Sequence, residues 1–289
     1  MEKISEFIKN KAYFGGYPTQ EQVEEYQKIG FRYFIDLTKE GEKRTTPYKT
    51  EYEYINYPIS DHRVPSDWKS FAVLIIKLSN IIRKLSDSEK IYIHCKGGHG
   101  RAGVVVACIM CYLYKIGPVE SISKTTKYHN KRQGMRDKWK KMGSPQTRSQ
   151  KHFVTKFFEP LNVYNNINNN YFSSIFGNYA PIKVEIPVLG KFENAQLAYE
   201  KFKEKVIVEC KNNDSINDNI WKIIKEDVMY TILSYKFDQH NVLSEKLLNT
   251  GLRPIIINSN DNFWGFQEKS GRNILGKMIT KLREELYLE

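Results

Sequence analysis

The feature that most constrains the fold of this chain is a glycine-rich segment that connects an apolar strand pattern to an apolar helix pattern. Ile91-Tyr-Ile93 has the composition of a short buried strand, and Gly103 to Tyr114 is apolar at nearly every position, as in a buried helix. The segment between them reads His94-Cys-Lys-Gly-Gly-His-Gly-Arg101. This order predicts an α/β domain in which the loop lies at a helix N-terminus.

Each residue type in this loop suits the binding and transfer of a phosphate group. Glycines let consecutive backbone N–H groups point inward and bind an anion. Arg101 can donate two hydrogen bonds to phosphate oxygens, and the same positive surroundings favour the thiolate form of Cys95, which is the nucleophilic form. We therefore predict Cys95 and Arg101 as catalytic residues. The predicted phosphate-binding residues are Lys96, Gly97, Gly98, His99 and Gly100, with Lys96 and His99 adding positive charge.

The His-Cys-x5-Arg pattern resembles the signature of the cysteine-dependent protein tyrosine phosphatases. The resemblance covers about residues 10–160. It extends to four segments that are similar to those of compact, dual-specificity-like members, namely Gly16-Tyr-Pro18, Phe34-Ile-Asp-Leu-Thr38, Tyr57-Pro-Ile-Ser-Asp61 and Ser144-Pro-Gln-Thr-Arg-Ser-Gln150. It implies an α/β domain with a central, mostly parallel sheet flanked by helices. It also implies hydrolysis of phosphate monoesters through a phosphocysteine intermediate.

The resemblance assigns two further roles and shows one departure. Asp61 matches the general acid that protonates the leaving group, although a helix-flanking cap is the alternative for this residue. Gln150 resembles a late glutamine that positions the hydrolytic water, with ordinary packing as its alternative. Most relatives have Ser or Thr directly after the arginine, whereas this chain has Ala102. We therefore predict slow breakdown of the phosphocysteine.

The net charge of +12 belongs to the first half of the chain. Residues 1–160 hold 29 Lys and Arg against 17 Asp and Glu, whereas residues 161–289 hold 16 of each. Such a charge attracts phosphorylated proteins or other anionic phosphates. The basic run from Lys124 to Lys141 contains Tyr128 and Trp139, which would suit a nucleic acid backbone with stacked bases, or it is a solvated surface. The resemblance to the phosphatase family implies two alternative substrates, RNA 5′-phosphates and inositol lipids, because relatives that act on each share the scaffold or the positive loop.

An asparagine-rich stretch divides the sequence. We predict a first domain over 1–160, a linker over 161–170 and a second domain over 171–289. The second domain is predicted to be α+β and mainly helical. Its predicted helices span Ala195 to Val206, Trp221 to Tyr235, Val242 to Leu248 and Asn273 to Leu286, and its predicted strand spans Pro254 to Ile257.

Segments of the second half resemble the NADAR family, whose members cleave N-glycosidic bonds to ribose phosphates. The resemblance rests on Phe176-Gly-Asn-Tyr-Ala-Pro-Ile182, Asn194 to Lys203, Leu247 to Gly251, Ser259 to Gly265 and Gly271 to Lys277. It implies a domain that binds or hydrolyses ADP-ribose N-glycosides. Lys203 follows Gln196 by seven positions in the predicted helix, which places both on one face.

The matched positions imply a lysine, Lys203, that attacks the anomeric carbon. Gln196 stands where the family has a glutamate, so hydrolysis requires Glu200 or Glu193 to substitute, or the domain only binds its ligand. The predicted ADP-ribose-binding residues are Asn178, Gln196, Glu200, Asp261, Trp264 and Asn273. The alternatives for the last three are a turn, a core aromatic and a helix N-cap.

Other signals point to an intracellular enzyme without cofactors. Four cysteines without scaffold or metal spacing favour a reducing, cytoplasmic setting, and no metal or cofactor is implied. The longest apolar run is too short to cross a bilayer. The rival interpretation is a pseudoenzyme or reader scaffold that binds phosphorylated or ADP-ribosylated partners, which Ala102 and Gln196 favour.

Overall fold

The computed structural model describes residues 4–164, 172–209, 214–267 and 270–288. The chain divides into two compact units, Met1–Glu159 and Pro160–Glu289. No helix among the described residues is long and apolar enough to span a bilayer.

The first unit is built on a five-stranded sheet with the order β1-β2-β5-β3-β4. The strands are β1 (Ser5–Ile8), β2 (Ala12–Gly15), β3 (Phe31–Asp36), β4 (Glu53–Asn56) and β5 (Lys90–His94). All neighbouring pairs are parallel except β1 and β2, which form an antiparallel hairpin. The predicted α/β class with a mostly parallel sheet is confirmed. The central strand is β5, and its carboxyl end leads into the glycine-rich loop.

Helices cover the sheet of the first unit. They are α1 (Gln20–Lys28), α2 (Trp68–Lys84), α3 (Arg101–Tyr114), α4 (Pro118–His129), α5 (Asp137–Met142) and α6 (Arg148–Phe157). Thr19 caps α1 in a capping box with Gln22, and Asp67 caps α2 by accepting hydrogen bonds from Lys69 N and Ser70 N. Helix α3 is buried along almost its whole length, because its apolar residues face the sheet on one side and other helices on the other.

The second unit is mainly helical with two small sheets. Its helices are a 3-10 helix (Phe172–Phe176), α7 (Ala195–Glu209), α8 (Asp214–Asp238), α9 (Asn241–Leu248) and α10 (Ile274–Leu286). Its strands are β6 (Leu161–Tyr164), β7 (Val184–Ile186), β8 (Gly190–Phe192) and β9 (Ile255–Asn258). The predicted α+β class is confirmed. One apolar core joins all four α-helices, with Leu233, Leu247 and Ile279 fully buried in it.

The linker predicted over 161–170 is wrong at its start. Leu161–Tyr164 form strand β6, which pairs in parallel with β9 from Leu161 opposite Ile255 to Tyr164 opposite Asn258. Leu161 and Val163 are buried in the core of the second unit, so apolar burial outweighs the turn preference of the asparagine at 162. Residues 165–170 lie outside the described residues.

Candidate functional site

The glycine-rich loop is held so that its carbonyl groups point away from its centre. Tyr17 N donates a hydrogen bond to Lys96 O (3.1 Å), Arg132 Nη1 donates to Gly98 O (2.9 Å) and Ser144 Oγ donates to His99 O (2.6 Å). Each outward carbonyl turns the following N–H group inward.

The inward N–H groups are available to a ligand. Within the described segments, no backbone N–H from Lys96 to Gly100 donates to a protein acceptor. Gly98 has a φ of +68°, and a Cβ at this position would lie 2.2 Å from the carbonyl carbon of Gly15. Only glycine fits there, which explains why the loop can approach β2 so closely. The result is a nest of N–H groups at the N-terminus of α3, an anion-binding arrangement.

Arg101 is buried and pre-oriented by an acidic partner. Its Nη1 and Nη2 donate to the two carboxylate oxygens of Glu42 at 2.6 and 2.7 Å, and Nη1 also donates to Ile59 O at 2.9 Å. The side chain of Arg101 is 1% exposed and that of Glu42 is 12% exposed. The hydrogen bond and charge of Arg101 hold the pKa of Glu42 below its usual range, although burial opposes this shift. Sequence reasoning missed Glu42, which lies in an irregular segment without a motif.

Asp61 lies at the same guanidinium. Its Oδ1 accepts a hydrogen bond from Arg101 Nη2 (3.0 Å), and its Oδ2 lies 3.9 Å from Lys96 Nζ. The side chain is 42% exposed, so it faces the open side of the pocket. The alternative role of helix cap belongs to Asp67 instead, which caps α2. The structure therefore brings Asp61, Arg101 and Cys95 to one pocket.

The pocket is small, with a cavity volume of about 30 Å³, and opens to solvent. Gln150 lines it beside the loop, 1% exposed. Gln150 Nε2 donates to Arg63 O (3.1 Å), and Oε1 accepts from Thr147 N (3.1 Å) in the capping box of α6. The alternative of ordinary packing at a helix start therefore holds for Gln150, and its role in positioning water stays a prediction. Gln146 also lines the pocket and was not predicted.

His94, directly before the cysteine, is a buried neutral residue. Its Nε2 lies 2.6 Å from Tyr48 Oη, and its Nδ1 lies 3.7 Å from Asp36 Oδ1. Burial lowers the pKa of His94 to about 4, and the Asp36 carboxylate opposes the shift. This histidine therefore anchors the end of β5 to the segment containing Tyr48.

The expected positive charge of His99 is wrong. Burial lowers the pKa of His99 to about 4, with His129 and Arg132 adding to the effect, so the ring is neutral at pH 7. The ring stacks on Trp139, with centroids 4.7 Å apart and planes 13° apart. One face of the Trp139 ring is thus covered by His99 and is closed to a stacked base. The positive charge of the loop therefore comes from Lys96 and Arg101.

The basic run also contains a buried structural residue. Arg132 is 6% exposed and donates to Ser5 Oγ, Gly98 O and Phe14 O. Burial without an acidic partner in hydrogen-bond contact lowers the pKa of Arg132 to about 10. Arg132 therefore supports the loop from behind. The other basic residues of the run are exposed, namely Lys124, Lys127, Lys131, Arg136, Lys138, Lys140 and Lys141.

The cysteines of α3 differ from Cys95 in their surroundings. Burial raises the pKa of Cys108 well above its usual value and that of Cys111 to about 11. Both are therefore protonated packing residues at neutral pH. Ala102 is completely buried at the start of α3 and offers no hydroxyl group to the cysteine.

In the second unit, Asn178 and Gln196 meet a carboxylate. Asn178 Nδ2 donates to Gln196 Oε1 (2.5 Å), and Gln196 Nε2 donates to Glu200 Oε1 (2.8 Å). Asn178 is 5% exposed, and its Oδ1 is buried without a hydrogen-bond partner among the described residues. Lys203 is exposed and follows on the same face of α7.

An aromatic group stands beside this cluster. The Tyr199 ring contacts the Trp264 ring edge-on at 5.7 Å, and Trp264 packs against the core of the second unit. Burial raises the pKa of Tyr179, and the charges of Glu200 and Asp261 add to the effect, which places both carboxylates near this tyrosine. Tyr179 was not among the predicted site residues.

Two predicted ligand contacts have structural roles. Asn273 Oδ1 accepts from Ile257 N (3.0 Å), and its Nδ2 donates to Ile255 O (2.8 Å), so both ends of the amide are bound to β9. The amide of Asn273 therefore has a structural role at β9, and its predicted contact with ribose or phosphate stays a prediction. Asp261 Oδ1 accepts from the N–H groups of Phe263 and Trp264 and closes a turn. Its second oxygen is not involved in those bonds.

No group of three or more His, Cys, Asp or Glu side chains that could hold a metal occurs in the described part of the chain.

In the first unit, the central strand of a mostly parallel sheet leads into a loop of free N–H groups, and an arginine begins the following helix. This arrangement is that of a phosphatase of the dual-specificity type. Residues 14–154 match the model of the Swiss Army Knife protein, DSP-PTPase phosphatase domain, and residues 189–287 match that of the NADAR domain.

The chain is 37% identical over 279 residues to the putative tyrosine phosphatase 197R of Invertebrate iridescent virus 6, covering 96% of this chain and 89% of the relative. It is 39% identical over 160 residues to the putative tyrosine phosphatase 067L of Invertebrate iridescent virus 3, covering 55% of this chain and 66% of the relative. It is 38% identical over 71 residues to the N-glycosidase YbiA of Escherichia coli, covering 24% of this chain and 44% of that protein.

The chain belongs to the dual-specificity-like tyrosine phosphatase family, in a form that carries a NADAR domain after the phosphatase domain. It is therefore a hydrolase whose phosphatase domain acts on anionic phosphates.

Proposed function

We propose that the first unit hydrolyses phosphate monoesters through a phosphocysteine. Cys95 Sγ attacks phosphorus, the S–P bond forms as the ester P–O bond breaks, and Asp61 gives its proton to the leaving oxygen. Water then attacks the phosphocysteine, the S–P bond breaks, and Asp61 takes a proton from the water. Orthophosphate leaves and the thiolate is restored.

The observation that carries this proposal is the ring of free N–H groups around Cys95, closed by Arg101. These donors can follow the equatorial phosphate oxygens into the transition state, where charge is spread over them. Arg101 Nη2 already donates to a carboxylate oxygen of Asp61, so a phosphate oxygen replaces that oxygen when substrate enters. Asp61 is then free to face the leaving group. Gln150 lines the pocket and is suited to orient the water.

Turnover of a small aryl phosphate tests this function. Cys95→Ser is expected to abolish release of phosphate, because a hydroxyl is a far weaker nucleophile than a thiolate. Cys108→Ala is the matched control, since Cys108 is a protonated packing residue of α3. Equal activity in wild type and Cys95→Ser would overturn the cysteine mechanism. Absence of turnover in the wild type, with retained binding of phosphate, would favour the reader scaffold.

The natural substrate is proposed to be a phosphorylated protein or another anionic phosphate. The exposed lysines of the run from Lys124 to Lys141 supply a positive field at the phosphatase unit, which favours an anionic substrate. Comparison of a phosphotyrosine peptide, inositol phosphates and 5′-phosphorylated RNA distinguishes the candidate classes. A reducing, cytoplasmic setting is proposed because the mechanism needs the free thiol of Cys95.

We propose that the second unit binds an ADP-ribose N-glycoside. We propose further that it cleaves the N-glycosidic bond if a nearby carboxylate acts in place of the glutamate found in relatives. Gln196 is bound to both Asn178 and Glu200, so Glu200 is the carboxylate nearest the position where relatives have their glutamate. Lys203 lies one helical turn further along the same face. Asn178 Oδ1, buried without a partner among the described residues, is free to accept a hydrogen bond from a ribose hydroxyl.

Borohydride trapping with ADP-ribose tests the lysine chemistry, because reduction makes a Schiff base permanent. A covalent adduct is expected in the wild type and not in Lys203→Ala, whereas Lys205→Ala, exposed on another face of α7, is expected to retain it. Calorimetric titration with ADP-ribose separates binding from catalysis. Binding of ADP-ribose without a covalent adduct would mean that the unit is a reader. The absence of both binding and adduct would overturn the proposal.

A further inference from the structure

His99 has a fixed environment within the phosphate loop. One face of its ring stacks on Trp139, and its Nδ1 lies 2.8 Å from Nε2 of the buried His129. The other ring nitrogen, Nε2, has no hydrogen-bond partner among the described residues, and His99 is one of the residues that line the pocket. The protonation state of Nε2 therefore decides what His99 offers to a substrate.

A chain of hydrogen bonds determines that state. Asn130 Nδ2 donates to Lys140 O (3.2 Å), so the amide oxygen of Asn130 is the atom that lies 2.8 Å from His129 Nδ1. An amide oxygen only accepts, so His129 Nδ1 carries a hydrogen. A neutral imidazole has one N–H group, which leaves His129 Nε2 as an acceptor. Its donor is Nδ1–H of His99, and Nε2 of His99 is then a bare lone pair.

Both rings are held in the neutral form that this argument requires. Burial lowers the pKa of His99 and of His129 to about 4, and the positive charge of Arg132 adds to the effect on each. At neutral pH the chain therefore runs in one direction, from His99 through His129 to Asn130.

The Nε2 lone pair of His99 lies on the pocket side of the loop, beside Gly97. A Cβ added to Gly97 would lie 2.9 Å from His99 Cδ2 and 3.4 Å from Nε2, so the ring edge covers the Gly97 backbone. Phosphate oxygens are themselves acceptors and are repelled by a lone pair. They are served instead by the loop N–H groups, Lys96 and Arg101.

We propose that His99 is a specificity-determining residue that accepts a hydrogen bond from a substrate hydroxyl group near the phosphate ester. This inference rests on the proposed phosphatase function and narrows its substrate class to polyol or sugar phosphates. A phenyl phosphate has no donor at this place, so its binding would bury the lone pair unsatisfied. A site that accepts a hydrogen bond from a substrate hydroxyl discriminates against the analogue without that hydroxyl. We expect kcat/KM for the analogue to be lower by about tenfold or more.

Matched substrate pairs test the proposal. myo-Inositol 1-phosphate is compared with cyclohexyl phosphate, and ribose 5-phosphate with its 2,3-dideoxy analogue, because each pair shares a ring and differs in hydroxyl groups. We expect kcat/KM to be at least about tenfold higher for the hydroxylated member of one pair, and the pair that shows the preference identifies the source as polyol or sugar. His99→Leu is expected to bring that ratio close to one. His152→Leu, a change at an exposed histidine of α6, should keep the wild-type ratio.

The outcomes separate this inference from the function on which it rests. The role of His99 is overturned if turnover depends on Cys95 but the kcat/KM ratio of hydroxylated to unhydroxylated substrate is near one in both pairs. It is also overturned if that ratio is unchanged in His99→Leu. Either result leaves the phosphatase function standing. No Cys95-dependent turnover of any ester overturns the proposed function. Calorimetry on Cys95→Ser measures the same ratios as dissociation constants, so the role of His99 is tested even then, and equal constants within both pairs overturn it.

Discussion

Arg101 and Glu42 form a two-point ion pair, with Nη1 2.6 Å from Oε2 and Nη2 2.7 Å from Oε1. Both groups are largely buried, and the arginine is also bound to the carbonyl of Ile59. The guanidinium therefore has one orientation before any phosphate arrives. Such pre-orientation avoids a reorganisation cost at the moment of reaction.

Glu42→Gln is expected to lower kcat/KM for an aryl phosphate by about tenfold to a hundredfold, because an amide accepts only one of the two hydrogen bonds and the guanidinium is displaced. Glu40→Gln, a change at an exposed neighbour, is the matched control. Steady-state kinetics measure the effect, with circular dichroism to confirm the fold. Full activity in a folded Glu42→Gln protein would contradict a positioning role.

Ala102 predicts that hydrolysis of the phosphocysteine is slower than its formation, since no hydroxyl follows Arg101 to assist expulsion of the thiolate. Stopped-flow measurement with an aryl phosphate should show a burst of phenol release. Ala102→Ser should shrink the burst and raise the steady-state rate. A linear time course in the wild type, with no gain from Ala102→Ser, would show that this step does not limit turnover.

Asp61→Asn should slow the reaction by about 100-fold or more for esters with poor leaving groups and far less for good ones, because good leaving groups need no proton. A series of substituted phenyl phosphates measures this dependence. Asp67→Asn is the control, since asparagine also caps a helix well and leaves α2 intact. Equal losses across the series would exclude Asp61 as the proton donor.

Lys236 predicts a pH dependence of stability. It is fully buried, donates to the carbonyls of Ile175 and Gly177, and burial lowers its pKa from 10.5 to about 7. Between those values the unfolded chain holds a proton that the folded chain has released. The free energy of unfolding of the second unit should therefore rise with pH across this window and should be insensitive to this group below it.

Lys236→Met removes this titrating group. As pH increases through the window, the unfolding free energy of the wild type should therefore rise relative to that of the variant, by up to about 1.4 kcal/mol per pH unit. Other titrating groups cancel in the difference. For Lys222→Met, at an exposed position of α8, the difference in unfolding free energy from wild type should not change with pH. If the difference for Lys236→Met is also independent of pH, Lys236 keeps its ordinary pKa.

The sequence predicted those parts of the structure that depend on local pattern. The loop lies between β5 and α3 as expected, and α9, α10 and β9 begin and end within one residue of their predicted bounds. The strands β1, β6, β7 and β8 and the helices α4 to α6 were not predicted. They are short or polar, and pairing and packing with distant segments specify them.

The same distinction applies to the site. Cys95, Arg101 and Asp61 were predicted from one contiguous motif and a matched segment, and the structure places all three in one pocket. Glu42 and His129 were missed because their importance comes from contacts across the fold. The neutral state of His99 could not be read from the sequence, since burial causes it. The binding of the Asn273 amide to β9 was also not predicted, because spacing does not reveal that contact.

The pairing of β6 with β9 has a consequence for synthesis of the chain. A ribosome releases Leu161–Tyr164 long before Ile255–Asn258, so β6 must wait as an unpaired edge while α7, α8 and α9 emerge. The phosphatase unit is complete by then, because its strands and helices all precede Glu159. The β6–β9 sheet therefore forms only after β9 has been made, and until then the unpaired edge of β6 is open to wrong pairing.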